Sequence, residues 1–550
     1  MFIGIDFGTT NTVVARMRGG DSQPTLIRFG SDEMAPSAVA WDGKRLHFGK
    51  EALDQEAPLL GLKSLLRDHR GRSKPVVAFD DGNKLPLGEV LDGYFAWIRA
   101  AIAADLGERG IPVPDPIPVV LTVPQNCHDV QRRTTRAAAL DAGFQVIDIL
   151  NEPTAAALAI ALMGVTTQVA TGSHLCLYDF GGGTFDASLV RRDGEARFVE
   201  VDSEGVQKLG GADIDADLTE AVVEHLTGEA PVVKAKWQPE AVHLGRIRRL
   251  CEKAKIALAN DAELEFFPIS LAGVIGTRSP LAFLRKVQVE VGRDELVAAA
   301  APRIRKTIAA LKQMLDRNPA ALGSLAAVVL TGGSSRLPGV HDGVRQLLDR
   351  FGLGSVRIIA SDRSMHDVSL GAAAYGALGS AGGARIIDRR AAMHVGVWRV
   401  AHGREWFHVL LARGTPLPED DFLKTEITYR PGHDVGEFRF CQCSDLSDSD
   451  GQQTAVADLG DLRRRRDLRP AGDILDYPRP LRIAFAPGLR HLDGDALDRL
   501  PITTCDPGVE VEEIWRFHPD GLVDIAIAVA GHVVPLTLDF ASCHGASAAG

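Results

Sequence analysis

The chain is poor in cysteine, aromatic residues and basic charge, and it has no long apolar run. Seven cysteines are scattered over 550 residues. They are too few and too dispersed for a disulfide framework and suit reduced thiols in a cytoplasm. Cys441 and Cys443 form a Cys-x-Cys pair with no second pair or histidine cluster nearby. Alternation on one face of a strand is the simpler reading than a metal site. No apolar run reaches the roughly 20 residues of a membrane helix. The chain enters an apolar strand at once, with no basic segment and cleavage site, so no signal peptide is expected and the localisation expected is cytoplasmic. Lys and Arg number 61 against 72 Asp and Glu, a net charge of −11. That balance argues against nucleic-acid partners and against anionic membrane surfaces. Hydrophobic content of 45% and charged content of 24% are ordinary for a globular protein. The length fits three to four domains, or two large ones with subdomains.

Glycine, in contrast, is abundant and placed in pattern. Three stretches stand out: Gly4-Ile5-Asp6-Phe7-Gly8-Thr9-Thr10, Tyr178-Asp179-Phe180-Gly181-Gly182-Gly183-Thr184-Phe185-Asp186 and Leu330-Thr331-Gly332-Gly333-Ser334-Ser335-Arg336. In the first two, an apolar run delivers an Asp, then Phe-Gly, then small residues and threonines. The flanking apolar residues predict a strand, a tight turn and a second strand. Glycine lets backbone N–H groups approach phosphate oxygens closely. Thr9, Thr10 and Thr184 add hydroxyls. Asp6, Asp179 and Asp186 add carboxylates that can hold a hydrated Mg²⁺. Two such hairpins face to face would clamp a nucleoside triphosphate tail, and the third motif fits the floor of a nucleoside pocket. One glycine-rich turn alone would be only a turn.

Residues 1 to about 380 alternate strand-like and helix-like segments. Phe2 to Ile5, Val13 to Met17, Val119 to Val123 and Val146 to Leu150 read as strands; Glu89 to Leu106 and Asp129 to Ala142 read as helices. Asn151 is placed to cap a helix with Pro153 at its first position, running through Leu162. The scheme restarts after Asp179, with helices from about Asp213 and a buried strand at Ala326 to Leu330. Two similarly built halves, about 1–170 and 171–380, imply an internal duplication with a ligand in the cleft between them. Gly379 to Ala384 has linker composition, and 381–392 is taken as the linker. Beyond it, short alternating segments such as His394 to Val400, Trp406 to Leu411, Thr425 to Tyr429 and Glu437 to Cys441 read as an all-β domain over 393–541. An insertion over about 444–480 contains the basic run Arg463 to Arg466, which alone reads as a solvated surface. The tail 542–550 is expected to be disordered.

These residues resemble the heat-shock-protein-70 chaperone family of the actin-like ATPase superfamily, strongly over 1 to about 380 and weakly over 385–540. Asn151-Glu152-Pro153-Thr154-Ala155-Ala156-Ala157 matches a family hallmark nearly letter for letter. Leu121-Thr122-Val123-Pro124, followed by Asp129, Gln131 and Arg132, resembles its Val-Pro helix entry. Leu62-Lys63-Ser64-Leu65-Leu66 resembles the segment of its catalytic lysine, and Cys251-Glu252-Lys253-Ala254-Lys255 its adenosine-binding helix. The fold implied is an α/β actin-like ATPase of duplicated lobes, then a β-sandwich-like domain. The ligands implied are ATP or ADP with Mg²⁺, and K⁺ as a further cation. The resemblance assigns catalysis to Lys63, Glu152, Asp179 and Thr184, and metal contact, mostly through water, to Asp6, Asp179 and Asp186. Thr9, Thr10 and Thr184 would contact the phosphates, and Asp6, Gly8, Asn11, Gly181, Gly182 and Gly183 are assigned to cofactor binding beside them. Glu252, Lys255, Gly332, Gly333, Ser334 and Arg336, with Asp367 nearby, would hold the nucleoside. Arg132 matches the family's interdomain relay arginine by position. The carboxylates and Lys63 are expected to face a solvent-filled cleft and to add little to the core.

Leu411 to Pro418 and Trp515 to Ile525 look like strand signatures of the family's peptide-binding sandwich. The chain departs from the pattern in four places. The interdomain linker is reduced to Ile386-Ile387-Asp388 with basic Arg389-Arg390 after it, the helical lid is absent, an insertion splits the sandwich, and Ile256 stands where members carry an adenine-stacking arginine. The function implied is a divergent, slow ATPase chaperone. It would act as a monomer that binds unfolded peptide or client protein, with co-chaperone and nucleotide-exchange partners. A nucleotide-sensing scaffold is the second reading. A metabolite kinase of the superfamily is a third, opposed by the Asn151–Ala157 segment and the β domain.

Overall fold

The computed structural model describes residues 1–55, 58–68, 75–79, 84–125, 127–162, 170–194, 197–229, 241–276, 279, 282–361, 363–380, 387–401, 404–418, 421–454, 459–476, 480–492 and 494–536. The linker residues 381–386 and the tail 542–550 lie outside them. Two six-stranded sheets organise the first 380 residues, the second taking its sixth strand from Ile387–Asp388. The first opens on a hairpin, Phe2–Phe7 against Asn11–Met17, and its opening strand pairs in parallel with Ile117–Val123, which pairs with Phe144–Asn151. The second opens on His174–Phe180 against Thr184–Arg192, and its opening strand pairs in parallel with Leu325–Thr331. The parallel strands are nearly continuous apolar runs, as expected where both faces of a sheet are covered.

Two alanine-rich helices, Glu152–Leu162 and Asp367–Ser380, pack on each other between the sheets. Small residues permit the approach: a Cβ on Gly371 would lie 1.7 Å from the Ala155 carbonyl oxygen. Ala155, Ala156, Ala372 and Ala373 share one apolar cluster with Val120 and Leu150 of the first sheet and Leu175, Leu177 and Val329 of the second. This bracing places the start of helix Glu152–Leu162, and the opening-strand ends of both sheets, around a common cleft. The helix starts at Glu152. Asn151 is the last residue of a strand, and its Oδ1 accepts from Arg132.

The C-terminal residues form two antiparallel sheets. One has the path Arg404–Leu411, His394–Ala401, Val435–Ser447 and Arg469–Asp476, with Leu481–Ala484 also on the third strand. The other runs Leu423–Tyr429, Val511–Phe517, Val523–Val529 and His532–Leu536. Phe438, Phe440, Trp515, Phe517 and Ile527 from both sheets fill the space between them. Within this core Glu513, fully buried, takes a bidentate pair from Arg399 at 2.6 and 2.7 Å, and Trp515 Nε1 donates to it at 3.2 Å. Such a pair holds geometry rather than adding net stability. Within 444–480, Arg469–Asp476 is a strand paired with Val435–Ser447, so part of this segment belongs to the sheet. Cys441 and Cys443 are both fully buried on one face of their strand.

The β sandwich is seated on the α/β part. Val130 joins its apolar core. Arg389 pairs with Asp148 at 3.0 and 2.6 Å and also donates to the Pro519 carbonyl. Strand Ile387–Asp388 adds in parallel to the edge strand Phe198–Gln207. Among the described residues no helix is long and apolar enough to cross a membrane.

Candidate nucleotide site

Both glycine turns close with the same bond. Gly8 N–H donates to the Asn11 carbonyl and Gly181 N–H to the Thr184 carbonyl, each at 3.1 Å. The two turns confront each other. A Cβ on Gly182 would lie 2.1 Å from Thr10 Oγ1, and one on Gly183 would lie 2.6 Å from Thr9 Oγ1. Any side chain at either position would wedge the hairpins apart. The third motif locks against the second: Ser334 Oγ donates to the Gly181 carbonyl at 2.8 Å, and Gly332 adopts φ +78° with no room for a Cβ beside Asp179 Oδ1. The hydroxyl of Ser334 therefore anchors the turn, while the residue still lines the cleft.

The cleft is lined by Asp6, Gly8, Thr9, Thr10, Asn11, Lys63, Glu152, Asp179, Gly181, Gly182, Gly183, Thr184, Glu252, Lys255, Gly332, Gly333, Ser334 and Arg336. These expected residues, spread over more than 330 positions of sequence, meet in one place. Two do not reach the wall. Asp367 is fully buried at the first residue of its helix, under Thr331 and Ser361, and its neighbour Val368 takes the place at the wall. Asp186 stands directly across the hairpin from Asp179, behind it, and accepts from the Gln125 backbone.

The floor of the cleft is buried, which corrects the expectation of solvent-facing groups. Lys63 is 8% exposed, Glu152 9%, Asp179 7% and Asp186 2%. Lys63 Nζ donates to Glu152 Oε1 in a tight ion pair. Burial alone would lower the Lys63 pKa, but Glu152 and Asp6 outweigh it and hold the ammonium above its usual value. Burial, with repulsion from Glu152, pushes Asp6 up to about 7, against Lys63 and a hydrogen bond from Thr122. Burial and Glu152 likewise push Asp186 to about 7 and raise Asp179 well above the carboxylate range, with Asp186, Asp6 and Asp367 adding to the repulsion on Asp179. Crowded, desolvated carboxylates of this kind mark a site built to receive positive charge.

At the far end, helix Ala241–Asn260 presents Glu252, Lys255, Ile256, Ala259 and Asn260, opposite Arg336, Leu337 and Met365. Lys255 is committed within the protein: its Nζ donates to the Gly211 carbonyl at 2.9 Å and to Asp215 Oδ2 at 2.7 Å. Asp215, Asn260 and Met365 were not legible as site residues. Asp215 falls one helical turn after Gly211, a spacing that carries no ligand signal on its own. Ile256 is half-exposed on the cleft wall, where only an apolar contact is available.

Behind the floor, Arg132 joins the two parts of the chain. Its guanidinium donates to Asn151 Oδ1 at 2.8 Å, to the Cys127 carbonyl at 3.2 Å and to the Asp520 carbonyl at 3.0 Å. Arg133 reaches Asp524 Oδ1 and the Val523 carbonyl at 2.8 and 2.6 Å, and Arg136 reaches Asp520 Oδ2 at 2.9 Å. Asp129 accepts from the Val523 N–H. On the second half, Arg413 donates to the Ser203 carbonyl and to Glu204.

The family model described as Hsp70 protein matches residues 110–384. A curated relative, the chaperone protein HscA homolog of Bordetella petrii, is 32% identical over 360 residues, which are 63% of this chain and 54% of the relative. The chain thus spans about half the length of the curated relative it matches.

Proposed function

The chain belongs to the Hsp70 family, and on that premise we propose that it is a slow, Mg²⁺-dependent ATPase whose cleft is coupled to a peptide- or client-binding β sandwich. In this reading residues 1–380 are a nucleotide-binding unit of duplicated actin-like lobes, about 1–170 and 171–380. Residues 381–392 link it to the β domain 393–541. The protein acts as a cytoplasmic monomer with co-chaperone and exchange-factor partners, and takes ATP or ADP, with K⁺ as an accessory cation.

The observation that carries this reading is the pair of glycine hairpins closed over a buried Lys63–Glu152 pair. Backbone N–H groups of Thr9, Thr10, Gly182 and Gly183, with the Thr184 hydroxyl, would hold the phosphates. Phosphoryl transfer to water needs positioning and charge neutralisation more than a strong base. Lys63 would stabilise charge growing on the γ-phosphate. Glu152, in contact with Lys63, would orient the attacking water and accept its hydrogen bond. Asp6, Asp179 and Asp186 suit a divalent cation: all are oxygen donors, and their raised pKa values express a repulsion that positive charge relieves. Among the described residues no three acidic, His or Cys side chains converge closely enough to ligate an ion directly. In this reading the cation is held mostly through water. When bound, Mg²⁺ would neutralise phosphate charge.

Glu152 also provides the route outward. Its chain neighbour Asn151 holds Arg132, and Arg132 holds the turn at Asp520–Gly521 of the sandwich. A shift of helix Glu152–Leu162 on nucleotide exchange would move that contact. The test is a titration of unfolded peptide into the steady-state ATPase reaction. Stimulation supports a coupled chaperone; ATP turnover without any response to peptide would favour the scaffold reading.

A further inference from the structure

The first glycine turn is held from behind by three buried hydroxyls. Thr12, Ser37 and Tyr94 are each at most 1% exposed, and none of them lines the cleft. Thr12 follows the turn on strand Asn11–Met17, Ser37 lies just after strand Met34–Pro36, and Tyr94 comes from helix Leu87–Glu108. The Tyr94 ring is fixed against Phe7, Phe48 and Trp97, at centroid distances of 5.4, 5.7 and 5.3 Å. Ser37 Oγ donates to the Gly8 carbonyl at 2.7 Å, and Ser37 N–H donates to the Thr10 carbonyl at 2.8 Å. Thr12 Oγ1 lies 3.0 Å from Ser37 Oγ and 2.9 Å from the Tyr94 hydroxyl.

Counting protons gives this cluster a direction. A hydroxyl has one proton to donate, and a carbonyl only accepts. The Ser37 proton is therefore spent on Gly8. Thr12 must then donate to Ser37, and Tyr94 must donate to Thr12, with the Pro36 carbonyl at 3.3 Å as a second, longer acceptor. Burial pushes the Tyr94 phenol up to about 12, so it keeps its proton at neutral pH. In a planar trans peptide the N–H points opposite to the C=O. Tying the Gly8 carbonyl back to Ser37 turns the Thr9 N–H the other way, and Thr9 lines the cleft. The second turn is tied back by the same kind of bond, from Ser334 Oγ to the Gly181 carbonyl.

We propose that Tyr94, acting through Thr12 and Ser37, is a positioning residue for the phosphate tail: the chain of hydroxyls presets the first turn with its amide aimed at the ligand. The assignment rests on the reading that nucleotide occupies this cleft. A donor set in advance needs no rearrangement when the ligand arrives. Cutting the chain should therefore weaken phosphate binding and spare the nucleoside.

Thr12→Val keeps the branched shape and removes the hydroxyl, whereas Thr12→Ser keeps the hydroxyl. Calorimetry should show MgATP binding weakened about tenfold in Thr12→Val, about threefold in Tyr94→Phe and less than about twofold in Thr12→Ser, the scale set by one buried hydrogen bond. Adenosine affinity should be unchanged in all three. Thr12→Val/Tyr94→Phe should lose no more than Thr12→Val alone, because the chain is already cut at Thr12. Without nucleotide, amide exchange of residues 8–12 should rise in Thr12→Val and not in Thr12→Ser. If Thr12→Val loses its cooperative melt, Tyr94→Phe, which keeps the ring packing, carries the same comparison. Wild type that binds no MgATP would overturn the nucleotide reading and with it the phosphate role. Wild type that binds MgATP, with equal affinity in folded Thr12→Val and Tyr94→Phe, would overturn the positioning role alone. So would equal losses for MgATP and adenosine.

Discussion

Replacing Lys63 by methionine separates catalysis from stability in this cleft. Lys63 is buried and paired with Glu152, and Asp6 adds to its field. Methionine keeps the length of the side chain and removes the charge. Loss of one preorganised electrostatic stabiliser costs about 10²–10³ in rate, so single-turnover hydrolysis should slow by that factor. The structure adds a second consequence. Glu152 is left as an uncompensated buried charge next to Asp6, Asp179 and Asp186, a situation that costs about 3–5 kcal/mol. Urea denaturation without nucleotide should therefore show a clear loss of stability. The double variant Lys63→Met/Glu152→Gln should regain most of that loss and remain inactive. The assay pair is quenched-flow hydrolysis of radiolabelled ATP and equilibrium urea unfolding. Lys63→Met hydrolysing ATP at the wild-type rate would refute the catalytic role. Lys63→Met unfolding at the wild-type midpoint would refute the buried pair.

Arg132→Ala should leave basal hydrolysis near the wild-type value and remove peptide stimulation, while the unpaired acceptors cost about 1–3 kcal/mol in unfolding; a large loss of basal rate would show that Arg132 belongs to the chemistry. Ile256→Arg should tighten ATP by roughly 2- to 30-fold, the yield of about 0.5–2 kcal/mol of guanidinium stacking; calorimetry showing no change would mean Ile256 does not face the base. The carboxyls predict a pH dependence. Asp6 and Asp186 sit near 7 when folded and near 3.9 when unfolded. Between pH 8 and 7 the folded state takes up protons that the unfolded state does not, so stability rises on acidification, by about 0.7 kcal/mol for the two groups. That window lies above the range where the neutral His394, buried, and His408, partly buried, would favour unfolding. Urea unfolding at the two pH values decides it, and greater stability at pH 8 would contradict the assignment.

The cleft was legible because its chemistry is written in short, local patterns. Asp6-Phe7-Gly8-Thr9 and Asp179 to Thr184 each specify a turn and the groups that line the cleft together, and Asn151 to Ala157 specifies a strand end and a helix start. Each strand and helix read from periodicity in the first 380 residues is present, with ends displaced by a few residues. Asp367 misled because its position next to Val368 is the same in sequence whether its carboxyl faces the cleft or the protein interior. Burial of Lys63 and Glu152 could not be read either. The two groups pair with each other across 89 positions of sequence, a contact that no local pattern carries. The C-terminal part was harder for the same reason. The run containing Arg463 reads as surface and nothing local marks Arg389 or Arg413, yet each of the three is held by carbonyls or carboxylates contributed by distant strands.

The central claim is that nucleotide binds between the two glycine hairpins. Gly183→Val tests it most directly, because its side chain must enter the space held by Thr9 while leaving Lys63, Glu152 and the acidic floor in place. Calorimetric titration of MgATP should show saturable, Mg²⁺-dependent binding to the wild-type chain and none to a folded Gly183→Val variant. Equal affinity in the two proteins, or no binding to wild type, would contradict the account.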